Sequence, residues 1–298
     1  MSPPLPRPSA RLRRLRPTSA SSQRPACSRP SPSPGPARRR RPPCQGRAPS
    51  TGPSCSTPGK FAYQRETARL QKERKLDVET ANPTYARWLA APMVAVAAQP
   101  PYAVSDWAWQ IAVEKSADLR FWYLPGGNVF VSSAFFERGR FSASEIAALL
   151  AHGYAHEVAG HDAEEAALRL AAHADGKSPD PNRRLLVLAE ILTTMGQRDP
   201  YQRVHERQAD TIALDLLARA GHDPQGLVTL WKKLAVAALS ANTGVVAVHP
   251  SWPERIAEIE AQLPAAMANY EKARAERARA EQARPAPRPR PAARPTQR

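Results

Sequence analysis

The chain has 298 residues, enough for one large domain or two small ones, and a formal charge of +16. The charge is uneven: residues 1–60 hold 13 Lys/Arg and no acidic residue, residues 271–298 hold nine Lys/Arg against three Glu, and residues 61–270 are left at −3. A fold that grips nucleic acid by its own basic face is therefore excluded for the middle of the chain, and no specific nucleic-acid partner is expected; the basic tails, with the arginine run 38–41, are the one place for such a contact.

Residues 1–56 are rich in Pro, Arg and Ser and show no apolar periodicity. Such a segment buries too little apolar surface to offset its ordering entropy, so disorder is predicted. Cys27, Cys44 and Cys55 all lie there, which leaves the rest of the chain without a thiol for a disulfide or a Cys-based metal site. The sequence shows no apolar signal-peptide core and no run of about 20 apolar residues to span a membrane. Two expectations stay open: a cytoplasmic chain, or a start that omits a leader. Cys55 before Ser56-Thr57 would suit a lipoprotein's first mature residue, although the residues ahead of it are not apolar.

A charged helix is predicted over 61–78, anchored by Leu70 and Leu76 and broken at Asn82-Pro83. A second helical piece carries Trp88 and Leu89 past Pro92 to Pro100-Pro101. Alternation over 107–113 predicts a strand, 121–124 a second, and 129–131 a third after the turn Pro125-Gly126-Gly127-Asn128. A short helix is expected over 134–137.

The next helix, 144–161, organises the chain. Ser144 is its expected N-cap, and Ile146, Leu149 and Leu150 repeat at helical spacing. His152 and His156 follow at i and i+4, offset by roughly 40° and one turn, so both imidazoles can reach one metal ion. In H-E-x-x-H zincins the residue after the first His is a glutamate acting as general base; here it is Gly153. The helix is expected to continue toward Gly176. A loop at 178–181 is followed by helices over 182–195, 201–220 (closed by Gly221), 224–239 and 253–263, with His249-Pro250 in a loop and a last basic helix fraying into the tail. The reading is an α+β fold, mainly α, with a small sheet: a domain over 57–270 between a disordered tail 1–56 and a basic tail 271–298.

Two histidines leave a zinc ion short of its third protein ligand. Glu206, opening E-x-x-A-D on a core-forming helix, is the best candidate. Asp210, one turn on, is placed to accept a hydrogen bond from a ligand imidazole.

The motifs L-P-G-G-N-V-F-V (124–131), E-I-A-A-L-L-A-H-x-x-x-H (145–156), E-x-x-A-D (206–210) and His249-Pro250 with Arg255 six residues after the His stand in one order and spacing. Over about residues 60–265 this set resembles the zinc metallopeptidases related to the CAAX prenyl proteases and HtpX, peptidase family M48. The resemblance implies a gluzincin-like domain with an active-site helix and one Zn2+ per chain on His152, His156 and Glu206, supported by Asp210. It implies that the strand after Pro125-Gly126-Gly127 forms a cleft edge able to pair with an extended or unfolded polypeptide, as in proteolysis of damaged proteins during quality control. It further implies a periplasmic or membrane-associated place, reached through a missing leader. His249 has two roles open: an extra ligand that closes the site, or a donor to the transition-state oxyanion.

Gly153 departs from the family pattern, and no neighbour replaces the missing base. Glu157 lies about 140° round the helix from His152, and Tyr154 points toward the core or the opposite face. Losing a general base removes about 10²–10⁴ of rate. The expected protein is thus a catalytically impaired zinc metalloendopeptidase, with a non-catalytic zinc-containing polypeptide-binding module (a pseudoprotease) as the alternative. Glycine costs about 1 kcal/mol in a helix relative to alanine, so Gly153→Glu is expected to fold and to restore hydrolysis. His161, His173 and His222 read as ordinary surface histidines, and Trp107, Trp109 and Trp122 as core.

Overall fold

A computed structural model describes residues 56–283, apart from 105–106, 138–139, 199–201, 241–248 and 250–252. Of the tail expected to be disordered over 1–56, all but Ser56 lies outside the described residues, as do residues 284–298, the three cysteines, the arginine run 38–41 and Pro250; Ser56 opens a helix.

Helix α1 (Ser56–Lys72) begins earlier than its charge pattern suggests, and Leu76 pairs instead with Glu114 in an isolated bridge. Helix α2 (Asn82–Ala97) starts at the expected break, because Pro83 falls in its first turn, where a missing N–H leaves no bond unmade. Three short strands follow: β1 (Gln110–Glu114), β2 (Phe121–Leu124) and β3 (Asn128–Ser132). Trp107 and Trp109 stand before β1 rather than in it; Trp109 has φ 48°, in the left-handed region that an extended strand cannot hold.

The strand order is β1-β3-β2, with β1 parallel and β2 antiparallel to β3. Every position of β2 and β3 is buried, because the two faces of the pleat serve two cores. Ile111, Val113, Phe121, Tyr123, Val129 and Val131 face a core shared with α2 and the later helices. Ala112, Trp122, Leu124 and Phe130 face a second core with residues of α1 and α5 (Pro181–Arg198), where Trp122 stacks on Phe130 at 4.0 Å.

This order corrects the expected cleft edge. The strand after Pro125-Gly126-Gly127 is the central one, with a partner on each side, so its backbone has no edge left for a peptide. On β2, α5 closes in at Gly196, where a Cβ would stand 2.8 Å from the Tyr123 carbonyl oxygen.

A 3-10 turn (Ser133–Phe136) leads to α3 (Ala143–Ala159), whose N-cap is Ser142, not Ser144. The Glu145 N–H donates to Ser142 Oγ (3.2 Å), and the Ser142 N–H donates to Glu145 Oε2 (2.7 Å), a reciprocal pair that satisfies two end groups of the helix. Ser142→Ala is expected to lower stability by about 1 kcal/mol in urea unfolding; an unchanged midpoint would show that the cap does not carry this end. α3 does not run on toward Gly176. Gly160 takes φ 77°, and α4 (His161–Ala172) starts afresh from it.

After α5 come α6 (Arg203–Ala220), closed by Gly221 as expected, α7 (Gln225–Ser240), and α8 (Pro253–Gln282). The last is one helix through Pro264 and across residue 270 rather than two. α3 packs on α6 and α7, and α6 on α8, which brings the motif-bearing helices together. The class is α+β, mainly α. No described helix is long and apolar enough to cross a membrane.

Candidate metal centre

His152 and His156 come from α3, Glu206 from α6, and His249 from the residues ahead of α8; all four are fully buried, and their donor atoms lie within 4.8 Å of one another. His152 Nε2 is 3.1 Å from His156 Nε2 and 3.3 Å from His249 Nδ1. Glu206 Oε1 is 3.3 Å from His156 Nε2 and 3.1 Å from His249 Nδ1. Tetrahedral zinc with bonds of about 2.0–2.1 Å separates its ligand atoms by roughly 3.3–3.4 Å. Three imidazole nitrogens and a carboxylate oxygen at this spacing fit such an ion. His249, left with two roles by the sequence, sits inside the donor cluster.

Arg255, on α8, orders the carboxylates. Its Nη1 is 2.5 Å from Glu206 Oε2, which also stands 3.4 Å from His152 Nε2, while Oε1 faces His156 and His249. Its Nε and Nη2 donate to Asp210 Oδ2 (2.7 Å) and Oδ1 (2.9 Å), and Asp210 Oδ1 is 3.1 Å from His152 Nδ1. The guanidinium lies 3.6 Å above the centre of the Trp231 ring, a cation–π contact inside the core. Burial is the largest influence on the Glu206 and Asp210 carboxyls and would raise both, but Arg255 and His152 together, with His249 for Glu206, outweigh it and hold both below the usual range, Glu206 well below. Burial lowers His156 and His249; for His152 the Glu206 and Asp210 charges outweigh burial and raise it.

Gly153 is explained by packing. A Cβ there would meet Phe121 Cζ at 2.5 Å, Phe121 Cε1 at 2.9 Å and Tyr123 Cδ1 at 3.5 Å. Phe121 is only 1% exposed, so its ring is enclosed. The expectation that a glutamate fits at 153 is thereby corrected: the space beside the helix is already filled. Phe121 and Tyr123 alternate along β2 and share its inner face. Their rings stand 6.0 and 6.3 Å from that of His249, and Tyr123 is 5.5 Å from His156, so this face covers the donor cluster.

The other expectations divide. Glu157 does face away from the cluster; its Oε2 accepts the Gly126 N–H at 3.0 Å and pins the turn between β2 and β3, while burial and nearby Asp162 push its carboxyl well above the usual range. Tyr154 is buried, edge-on to half-buried Trp109 at 4.8 Å. Trp122 is core and Trp107 half-buried. His173 is exposed; half-buried His222 contacts the Leu89 carbonyl at 2.8 Å.

His161 is the residue that the sequence reading missed. It is buried, its Nδ1 is 3.0 Å from His156 Nδ1, its Nε2 is 3.2 Å from Gln208 Oε1, and its ring stacks on that of His205 at 4.3 Å. Burial lowers its pKa to about 4. On an unbroken helix a residue five places past His156 points about 140° away. The left-handed turn at Gly160 brings it back. The readable signal was the Gly-His pair at a helix junction.

Peptidase family M48 matches residues 86–263, more than half of the chain, a span that includes the sheet and all four donors. The chain belongs to peptidase family M48. Mitochondrial metalloendopeptidase OMA1 of Schizosaccharomyces pombe is 32% identical over 174 residues, covering 56% of this chain and 50% of the relative. The Saccharomyces cerevisiae protein of the same name is 31% identical over 183 residues, covering 55% and 50%. Human mitochondrial metalloendopeptidase OMA1 is 27% identical over 179 residues, covering 55% and 34%. The chain spans half or less of the length of these relatives. As an M48 member it has a metallopeptidase fold, and the family implies a metal ion, which the buried His/Glu group fits.

Proposed function

We propose that this M48 domain holds one zinc ion on His152, His156, Glu206 and His249 and has given up peptide hydrolysis. The observation that carries this reading is Phe121, whose ring fills the space at Gly153 where the family's general base would stand. A bound zinc ion supplies Lewis-acid polarisation and acidifies water. Four protein donors, however, make a closed centre of the kind that stabilises a fold, whereas catalytic centres keep a position open. In this reading Asp210 and Arg255 orient His152 and Glu206, and no side chain of the site is left to move the substrate's protons.

The family's peptide substrates make an extended or unfolded polypeptide the partner class, bound without cleavage in a quality-control setting. With β3 paired on both sides, such a partner would engage side-chain surface rather than add a strand. The slightly acidic middle of the chain speaks against nucleic acid. The relatives' names place those proteins in mitochondria and give no support to a periplasmic site; membrane association through a segment outside 57–270 remains part of the proposal.

The purified full-length chain is expected to carry about one zinc per molecule and to melt higher with zinc, since metal bound only by the folded state adds stability by mass action. His152→Ala, His156→Ala and Glu206→Gln should each abolish that gain, and unfolded casein should stay intact with or without chelator. Full zinc retention in Glu206→Gln removes Glu206 from the ligand set. Chelator-sensitive cleavage that disappears in His156→Ala shows an active peptidase instead.

A further inference from the structure

We propose that His161 and Gln208 are positioning residues that set the tautomer of His156 so that its Nε2 presents a lone pair to a bound metal. The inference rests on the metal-holding reading above.

A neutral imidazole carries one N–H, and an amide oxygen only accepts. Gln208 Oε1 stands 3.2 Å from His161 Nε2, so the His161 proton sits on Nε2 and donates outward. His161 Nδ1 is then a bare acceptor aimed at His156 Nδ1, 3.0 Å away. Two ring nitrogens that close share a single proton, and with His161 Nδ1 accepting, that proton belongs to His156 Nδ1. His156 Nε2 is left as a lone pair.

That lone pair points into the centre, 3.1 Å from His152 Nε2 and 3.3 Å from Glu206 Oε1. Asp210 Oδ1, 3.1 Å from His152 Nδ1, draws the His152 proton away from the centre in the same manner. Two imidazole lone pairs and a carboxylate oxygen facing one another in a buried site repel, and a cation among them relieves this; the Arg255 guanidinium, 3.5 Å from His152 Nε2, offsets part of it. The outer contacts therefore prepare the donors: Asp210 for His152, and His161 with Gln208 for His156. Glu206, Gln208 and Asp210 all belong to α6, so one helix supplies a donor and the outermost acceptor behind each histidine. His205 stacks on His161 with the rings 19° from parallel, holding the ring plane the relay needs. Gly160 makes the arrangement reachable.

Outer partners of metal-bound histidines are worth about 10–100-fold in metal affinity. The test uses the full-length chain and zinc, with affinity read by competition against a chromophoric chelator. Gln208→Leu removes the acceptor from an exposed position, so the fold survives, and zinc affinity should fall about 10-fold or more. Gln208→Glu keeps an acceptor oxygen and should stay close to wild type. His161→Phe fills the same space without a nitrogen and should fall at least as far as Gln208→Leu. Long-range 1H–15N spectra of the zinc-loaded chain should show His161 protonated at Nε2 and bare at Nδ1, and Gln208→Leu should blur that preference. Wild-type affinity in Gln208→Leu, or His161 protonated at Nδ1 in the zinc-loaded chain, overturns the inference while leaving the metal centre standing. A wild-type chain that takes up no zinc overturns the metal reading and this inference together.

Discussion

Gly153→Glu, made alone, is expected to destabilise the domain and to yield no peptidase. The side chain would enter space held by Phe121, whose ring atoms lie 2.5 and 2.9 Å from where the new Cβ must go. Overpacking of this kind costs about 1–3 kcal/mol, and a carboxylate brought into an enclosed apolar contact adds to that cost. The helix penalty of glycine, about 1 kcal/mol relative to alanine, is too small to reverse the sign. Phe121→Ala alone should also destabilise, by about 3–5 kcal/mol, because it empties a buried site. Combined, the two changes should be less damaging than their sum, by about 0.5–3 kcal/mol, since each relieves the fault of the other. Urea unfolding of the four proteins measures this coupling. A Gly153→Glu protein as stable as wild type would show that Phe121 does not hold the position.

Arg255→Met should produce the other large loss. Arg255 is fully buried and offsets two buried carboxylates, Asp210 and Glu206. Removing one partner of a buried ion pair costs about 3–5 kcal/mol because the remaining charge stays uncompensated. Arg255→Lys should recover little of it: one ammonium cannot reproduce two parallel bonds to Asp210, a third contact to Glu206 and a planar stack on Trp231. The unfolding midpoint of the zinc-free protein reads the effect cleanly, since metal on Glu206 would mask part of it. A loss below about 1 kcal/mol would mean that the two carboxylates are solvated or protonated rather than held by Arg255.

The histidine pair on α3, the strand 121–124, the end of α6 at Gly221 and the pairing of His152 with Glu206 and Asp210 were legible because each rests on local spacing or on motif order. The misreadings share a different cause: each depended on a neighbour far away in the chain. Helix propensity at Gly153 is a local quantity, but the residue's environment is set by Phe121, 32 residues earlier. The resemblance implies an edge at β3, and hairpin signals identify a turn but not which strand joins on the other side, here β1. Helical geometry turns His161 away from His156 only while the helix continues, and Gly160 ends it. Arg255 was noticed as a spacing, yet the two charges it answers lie on α6.

The closed metal centre is the claim on which the rest depends, and zinc-edge X-ray absorption on the purified 298-residue chain tests it most directly. The expected spectrum shows one four-coordinate zinc with three imidazoles and one carboxylate oxygen at about 2.0–2.1 Å, unchanged when unfolded polypeptide is added. Two imidazoles with an exchangeable oxygen in the fourth place, or a folded chain that holds no zinc, would contradict it.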